Sequence, residues 1–272
     1  MSGIVVSERG PSVGGRAVRQ AGEWLPAIVV AVLVIAAWEG TVRLFHIQQF
    51  LLPRPSDIAK ACWTQRHELW PAGWYTFKEA LGGFVVGSAA GVAAATLVGR
   101  FKTVGVALMP IFIAANAVPI IAFAPIADIW FNPISPHSKM AIAAVLCFLP
   151  VMVNTLRGLQ SASPRQLELM RSYAASEREI WRRVRVPTAL PFLFTALKVA
   201  SVLAMIGAIV GEYFGGALNA LGVIINNDAT IFRFETAWAG ILTASLLGIG
   251  LYTAVALAER AVVRWTPESR AS

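Results

Sequence analysis

The chain has 272 residues, of which 57% are apolar and only 14% charged, against roughly 45–50% and about 25% in a soluble domain. That excludes a disordered chain, a collagen-like chain and a small disulfide scaffold, and it argues against an ordinary soluble enzyme. Its formal net charge is +8, but the basic residues fall in short stretches between apolar runs, the pattern of a membrane protein, and no basic stripe interleaved with aromatics points to nucleic acid.

Residues 1–23 hold Arg9, Arg16 and Arg19 among Gly and Ser and read as a cytoplasmic N-terminal tail. A helix needs about 20 mostly apolar residues to cross a bilayer. Six stretches qualify: Trp24 to about Phe45, Phe77 to Gly99, Val104 to about Ile126, Lys139 to about Leu159, Thr188 to about Tyr213, and Thr236 to about Ala258. The first is too long for a signal-peptide core and has no small-residue cleavage site after it, so it is expected to be retained. The expected fold class is all-α: one polytopic domain over 24–264 with six transmembrane helices, then a short cytoplasmic tail, 265–272. With the N-terminus inside, fifteen Lys and Arg fall in the inner segments and five in the outer ones. The positive-inside rule then puts both termini in the cytoplasm.

Small residues let helices approach in lipid, where no hydrophobic drive brings them together. The second span carries Gly83, Gly87, Gly91, Ala95 and Gly99 at four-residue intervals; the fifth carries Gly207, Gly211 and Gly215, and the sixth Gly240, Ala244 and Gly248. These stripes predict tight packing within the subunit or a dimer. The third span contains Pro110, Pro119 and Pro125. Proline frees the carbonyl four residues back, here Ala115 and Ile121, and bare backbone at membrane depth survives only beside protein or a watery cavity. This span therefore reads either as a pathway wall or as a kinked packing helix, and Asn116 is the polar side chain placed to face such a cavity.

The loop 160–186 is too polar to span. Ser163, followed by Pro164 and by Gln166 three residues on, is a helix start; Ser176 with Glu179 repeats it. Two short helices are predicted, about 164–173 and 177–185, with a turn near Ala174-Ala175 and Pro187 closing the second. Leu167, Met170, Tyr173 and Ala174 fall on one side at helical spacing. Such an amphipathic pair either lies on anionic lipid or inserts into a groove on a partner protein.

The run Glu168-Leu169-Met170-Arg171-Ser172-Tyr173-Ala174-Ala175-Ser176, followed by Ala189-Leu190-Pro191, resembles the EAA loop of bacterial ABC importer permeases. Glu168 matches the acidic position, Leu169 and Met170 replace the two alanines, Ala174 stands where glycine is usual, and Ala189 replaces an isoleucine. Leu51-Leu52-Pro53-Arg54-Pro55-Ser56-Asp57, Pro119 to Pro125 with Ile129-Trp130-Phe131, and Ile209-Val210-Gly211-Glu212-Tyr213 are similar to the nitrate, sulfonate and taurine branch, with a further likeness to permeases for hydroxymethylpyrimidine and other vitamin precursors. The resemblance covers about residues 24–264.

The resemblance implies a type I importer permease in the bacterial inner membrane. Its partners would be two ABC ATPase subunits, a second permease, identical or related, and a periplasmic or lipid-anchored solute-binding protein. ATP and Mg would bind the partner ATPase and no cofactor this chain. Glu168, Leu169, Met170, Tyr173, Ala174, Ala175, Ser176 and Arg178 would couple to the ATPase. Asn116, Pro119, Pro125, Glu212 and Tyr213 would border the pathway of a small solute, either a vitamin precursor such as a hydroxymethylpyrimidine or a sulfonate-, taurine- or nitrate-like anion.

Ionisable residues inside spans are costly and often functional. Glu39 and Arg43, one turn apart, are expected to pair. Lys198 is expected to snorkel to the interface, Lys78 and Glu79 to sit at the outer interface, and Asp128 and Trp130 to sit where the third span exits, placed to touch the binding protein. Glu212 is either a cargo or gating residue or a hydrogen-bond anchor. Cys62 and Cys147 read as two isolated thiols, and His46, His67 and His137 lack metal-ligand spacing. No Walker loop is present, so the chain is expected to be a permease without its own ATPase site. The alternative is an ion- or proton-coupled secondary transporter acting alone.

Overall fold

A computed structural model describes residues 13–101, 110, 114 and 119–265. Ten α-helices are described: α1 (Val13–Leu44), α2 (Pro55–Thr64), α3 (Arg66–Arg100), α4 (Ile120–Phe131), α5 (Pro136–Gln160), α6 (Pro164–Ser172), α7 (Glu177–Ile180), α8 (Val186–Phe214), α9 (Leu221–Thr230) and α10 (Phe234–Val262). A π-helical turn, Trp181–Arg185, joins α7 to α8. Among the described residues, five helices are long and apolar enough to cross a membrane, where six spans are expected. Most of the third expected span lies outside the described residues, Asn116 included. Its described end is α4, which has Pro119 at its N-cap and Pro125 inside it.

The bundle is organised around α5, which lies between α3 and α8. The glycine stripe of α3 explains the first contact. A Cβ on Gly83 would sit 2.4 Å from the Ala143 Cβ, and one on Gly87 only 2.3 Å from the Ala144 carbonyl oxygen. Backbone therefore touches backbone along α3 and α5. On the other flank, a Cβ on Gly207 would meet the Ala143 backbone at 2.8 Å, and one on Gly158 the Ala189 backbone at 2.8 Å. Ala143, Cys147, Val151, Ala196, Ala200 and Ala204 are fully buried in this core. The sixth-span stripe meets side chains instead: a Cβ on Gly240 would sit 2.6 Å from the Ile225 side chain, and one on Gly248 would find its nearest neighbour, Met205, at 3.8 Å.

We call the end where α3 begins the upper end and the end where it stops the lower end. At the upper end two short helices, α2 and α9, extend beyond the six expected stretches. Glu39 explains how α2 starts. Its carboxylate accepts from the Ser56 backbone N–H (3.1 Å) and hydroxyl (2.9 Å) while also taking the Arg43 Nε at 2.7 Å. An anion thus sits on the helix N-terminus, where free N–H groups favour it. The expected Glu39–Arg43 pair forms and is recruited to fix the Pro55-Ser56-Asp57 turn. Outside this segment α1 meets the bundle through Val42, fully buried, and an edge-on contact of Trp38 with Trp238, 5.4 Å between ring centroids.

Candidate functional site

The two-helix elbow is built as its sequence predicts. Ser163 donates its N–H to Gln166 Oε1 (3.3 Å), and Ser176 donates its N–H to Glu179 Oε2 (3.0 Å) while its Oγ accepts from the Glu179 N–H (3.4 Å). The turn between them is a Schellman motif. The Ala174 N–H donates to the Arg171 carbonyl (2.9 Å) and the Ala175 N–H to the Met170 carbonyl (3.0 Å). This closure requires a left-handed residue after Tyr173, and Ala174 supplies it at φ 55°. Glycine takes that conformation freely, whereas alanine holds it at a cost of about 1–2 kcal/mol.

No residue of α6 is buried. Leu169 is 56% and Tyr173 76% exposed, and Glu168 is exposed beside them. Met170 and Ala175 are half-buried, and Ser176 and Arg178 exposed. The predicted end of the second short helix at Pro187 is corrected. Pro187 lies in the first turn of α8, and the chain stays helical from Glu177 to Phe214. The π turn is the reason: its wider pitch, with the Val186 N–H bonded to the Trp181 carbonyl, makes room for a ring that an α pitch would exclude.

At the upper end the structure gathers polar residues that the sequence scattered. Glu212, 1% exposed, accepts from Thr76 Oγ1 (2.7 Å) and from the Gly222 N–H (2.6 Å), and the Leu221 N–H donates to Thr76 Oγ1 (3.0 Å). Glu212 and Thr76 together cap α9. Glu79 is corrected: it is 2% exposed rather than interfacial, because it shares the face of α3 that carries Thr76 and Gly83. Its carboxyl contacts Glu212 and Tyr75.

Asp128 is likewise buried, not presented outward. Lys139 Nζ donates to Asp128 Oδ1 and Ser138 Oγ, both at 2.9 Å, and to the Pro133 carbonyl. Lys139 and Asp128 are 1% and 6% exposed, so the pair ties α4 to the start of α5. Lys198 does not simply snorkel; it meets Glu259 at 2.8 Å and links α8 to α10. Sequence reading missed Thr76, Glu79 and Lys139 as partners. The available signal was their position: Thr76 and Glu79 precede Gly83 on one helix face, where small residues already mark close packing.

Tyr213 and Glu212, adjacent in sequence, diverge. Tyr213 is 43% exposed and lines an apolar groove of about 560 Å³ between α8 and α10, with Ser245 and Tyr252 as its other hydroxyl groups. Pro119 and Pro125 are exposed on α4. Among the described residues no group of His, Cys, Asp and Glu could hold a metal ion. Cys62 and Cys147 are both free thiols on different helices.

Residues 84–264 match the family model described as binding-protein-dependent transport system inner membrane component. The riboflavin transport system permease protein of Chloroflexus aurantiacus is 31% identical over 89% of this chain and 91% of its own. The formylaminopyrimidine transport permease protein of Halalkalibacterium halodurans is 32% identical over 86% and 92%. Putative aliphatic sulfonates permeases follow at 24–25% identity. Among solved structures, a chain of an amino acid ABC transporter crystallised with histidines superposes with a TM-score of 0.59 at 16% identity, over 73% of this chain and 95% of that one. A chain of the inward-facing MetNI methionine ABC transporter gives 0.52 at 20%, over 74% and 95%. The bundle is therefore that of an ABC transporter permease, and the chain belongs to the binding-protein-dependent transport system inner membrane components.

Proposed function

We propose that this chain is the permease subunit of an ATP-driven importer and that the α6–α7 elbow is its coupling element, seated in a groove of a cytoplasmic ATPase subunit. One observation carries the reading: the exposed tip formed by Glu168, Leu169 and Tyr173 is joined by one tight, hydrogen-bonded turn to α7, from which the chain runs through the π turn into α8 without a break. Thirty-eight helical residues make a lever of roughly 57 Å at about 1.5 Å per residue. It packs backbone-close on α5 at both ends, Ala189 against Gly158 in its lower half and Gly207 against Ala143 in its upper half, so displacement of the tip is passed to the core. Two such chains, or this chain and a related one, would enclose the pathway, with ATP and Mg on the ATPase pair and a solute-binding protein at the upper end. The excess of Lys and Arg at the lower end supports a cytoplasmic elbow and termini.

Among the membrane-depth charges of the described residues, Lys139 pairs with Asp128 and Lys198 with Glu259, while the carboxyls of Glu79 and Glu212 face each other. The family match supports a partner-driven machine over an ion-coupled one acting alone. A small, largely uncharged heteroaromatic solute, a vitamin precursor, fits better than a sulfonate or nitrate anion. Two relatives above 30% identity are named for riboflavin and formylaminopyrimidine, and the groove beside Tyr213 offers ring and hydroxyl contacts rather than a cation.

The test is assembly. Tyr173→Asp and Glu168→Lys should each abolish co-purification with the ATPase subunit and ATP-driven uptake. Loss of a central interface anchor costs about 2 kcal/mol or more, or at least thirtyfold in affinity. Intact assembly and uptake in both variants would refute the coupling role.

A further inference from the structure

At the lower end a cavity of about 630 Å³ opens between the last turn of α3 and the inner side of the elbow. Four arginines line it, Arg100, Arg171, Arg178 and Arg185, against a single carboxylate, Glu177. That carboxylate reaches only Arg171, at 3.9 Å, with both side chains 64% exposed. Arg185 donates Nη1 to the Leu159 carbonyl (3.4 Å), and its guanidinium lies 5.9 Å from the Trp181 ring centroid. Among the described residues neither Arg100 nor Arg178 has an acidic partner. Four guanidinium groups around one cavity repel each other unless an anion sits among them, and their planar donor forks match phosphate oxygens.

The position narrows the anion further. Arg100 ends a 35-residue membrane helix. Leu97, one turn back on the same face, is 58% exposed, and Phe101, next in the chain, is 53% exposed. An anion cradle flanked by bare apolar surface suits a ligand with a charged head and an apolar body. A soluble partner would meet the protruding Glu168–Tyr173 tip instead.

We propose that this cavity binds the phosphate of an anionic phospholipid headgroup, with Arg100 and Arg185 as the principal donors and the acyl chains beside Leu97. Lipid would then brace the elbow against the end of α3. The site lies behind the coupling tip and is separable from it.

Short-chain phosphatidylglycerol, phosphatidylcholine of the same chain length and inorganic phosphate are titrated against the purified full chain in detergent, read by native mass spectrometry and thermal shift. Phosphatidylglycerol should bind about tenfold tighter than the other two. Arg100→Gln and Arg185→Gln should each weaken it about fivefold, near what one arginine contributes at an anionic surface. Arg264→Gln, the same charge loss at the lower end but outside the cavity, should leave it unchanged. Arg100→Lys, which keeps the charge, should retain most of the binding and separates charge loss from misfolding. Equal binding of phosphatidylcholine, equal binding of inorganic phosphate, or an equal loss in Arg264→Gln overturns the proposal. So does a double Arg100→Gln/Arg185→Gln variant that keeps phosphatidylglycerol but loses the ATPase subunit, which would assign the arginines to the protein interface.

Discussion

Ala174 shows how much one backbone conformation can matter. The elbow closes by a Schellman motif, and the motif places this alanine at φ 55°. Ala174→Gly should relieve the strain and raise stability by about 1 kcal/mol, read as a higher unfolding temperature of the purified chain. A drop would mean that the turn is not left-handed. The Lys139–Asp128 pair makes the opposite case, since both side chains are buried. Lys139→Met strands a buried carboxylate, and a loss of about 3–5 kcal/mol is expected. Adding Asp128→Leu should recover most of it, because breaking one half of a buried pair costs more than replacing both halves. A double variant no more stable than the single would show that the pair does not hold α4 to α5.

Among the elements, the three glycine stripes look alike in sequence and differ in the bundle. Gly87 faces the backbone of α5 at 2.3 Å from a prospective Cβ, whereas Gly248 has 3.8 Å of clearance. Gly87→Ala should therefore force α3 and α5 apart and lower the unfolding temperature by several degrees. Gly248→Ala should be neutral or slightly stabilising, since it also removes a helix-interior glycine. Equal effects would show that the α3–α5 contact is not as close as described. The stripes were legible because four-residue spacing puts small residues on one face. Which stripe touches backbone was not, because that depends on which helix lies opposite. The elbow was legible almost to the residue: capping boxes act within four residues of chain. Its continuation through Pro187 was not, because a π turn is a response to the proline that the pattern of apolar residues does not record.

For the whole molecule, binding protein and permease must handle the same solute, so the substrate class is tested on the binding protein. A thermal-shift screen of the cognate solute-binding protein should show stabilisation by a pyrimidine or flavin and none by taurine or nitrate, since a specific ligand stabilises by mass action. Stabilisation by taurine or nitrate alone would reverse the preference for a heteroaromatic solute. The sequence by itself determined the membrane class, most of the helices and the elbow with its two caps, because apolar run length, charge placement and capping are local properties. It also carried the family likeness, since Glu168 to Ser176 is a contiguous run. Only the tertiary structure decided that Glu212 caps α9 with Thr76, that Glu79 and Asp128 are buried, that Lys198 meets Glu259, and that four arginines surround one cavity. These partners lie tens of residues apart, and a charge's role in a membrane bundle is set by what faces it across a helix contact rather than by its neighbours in the chain.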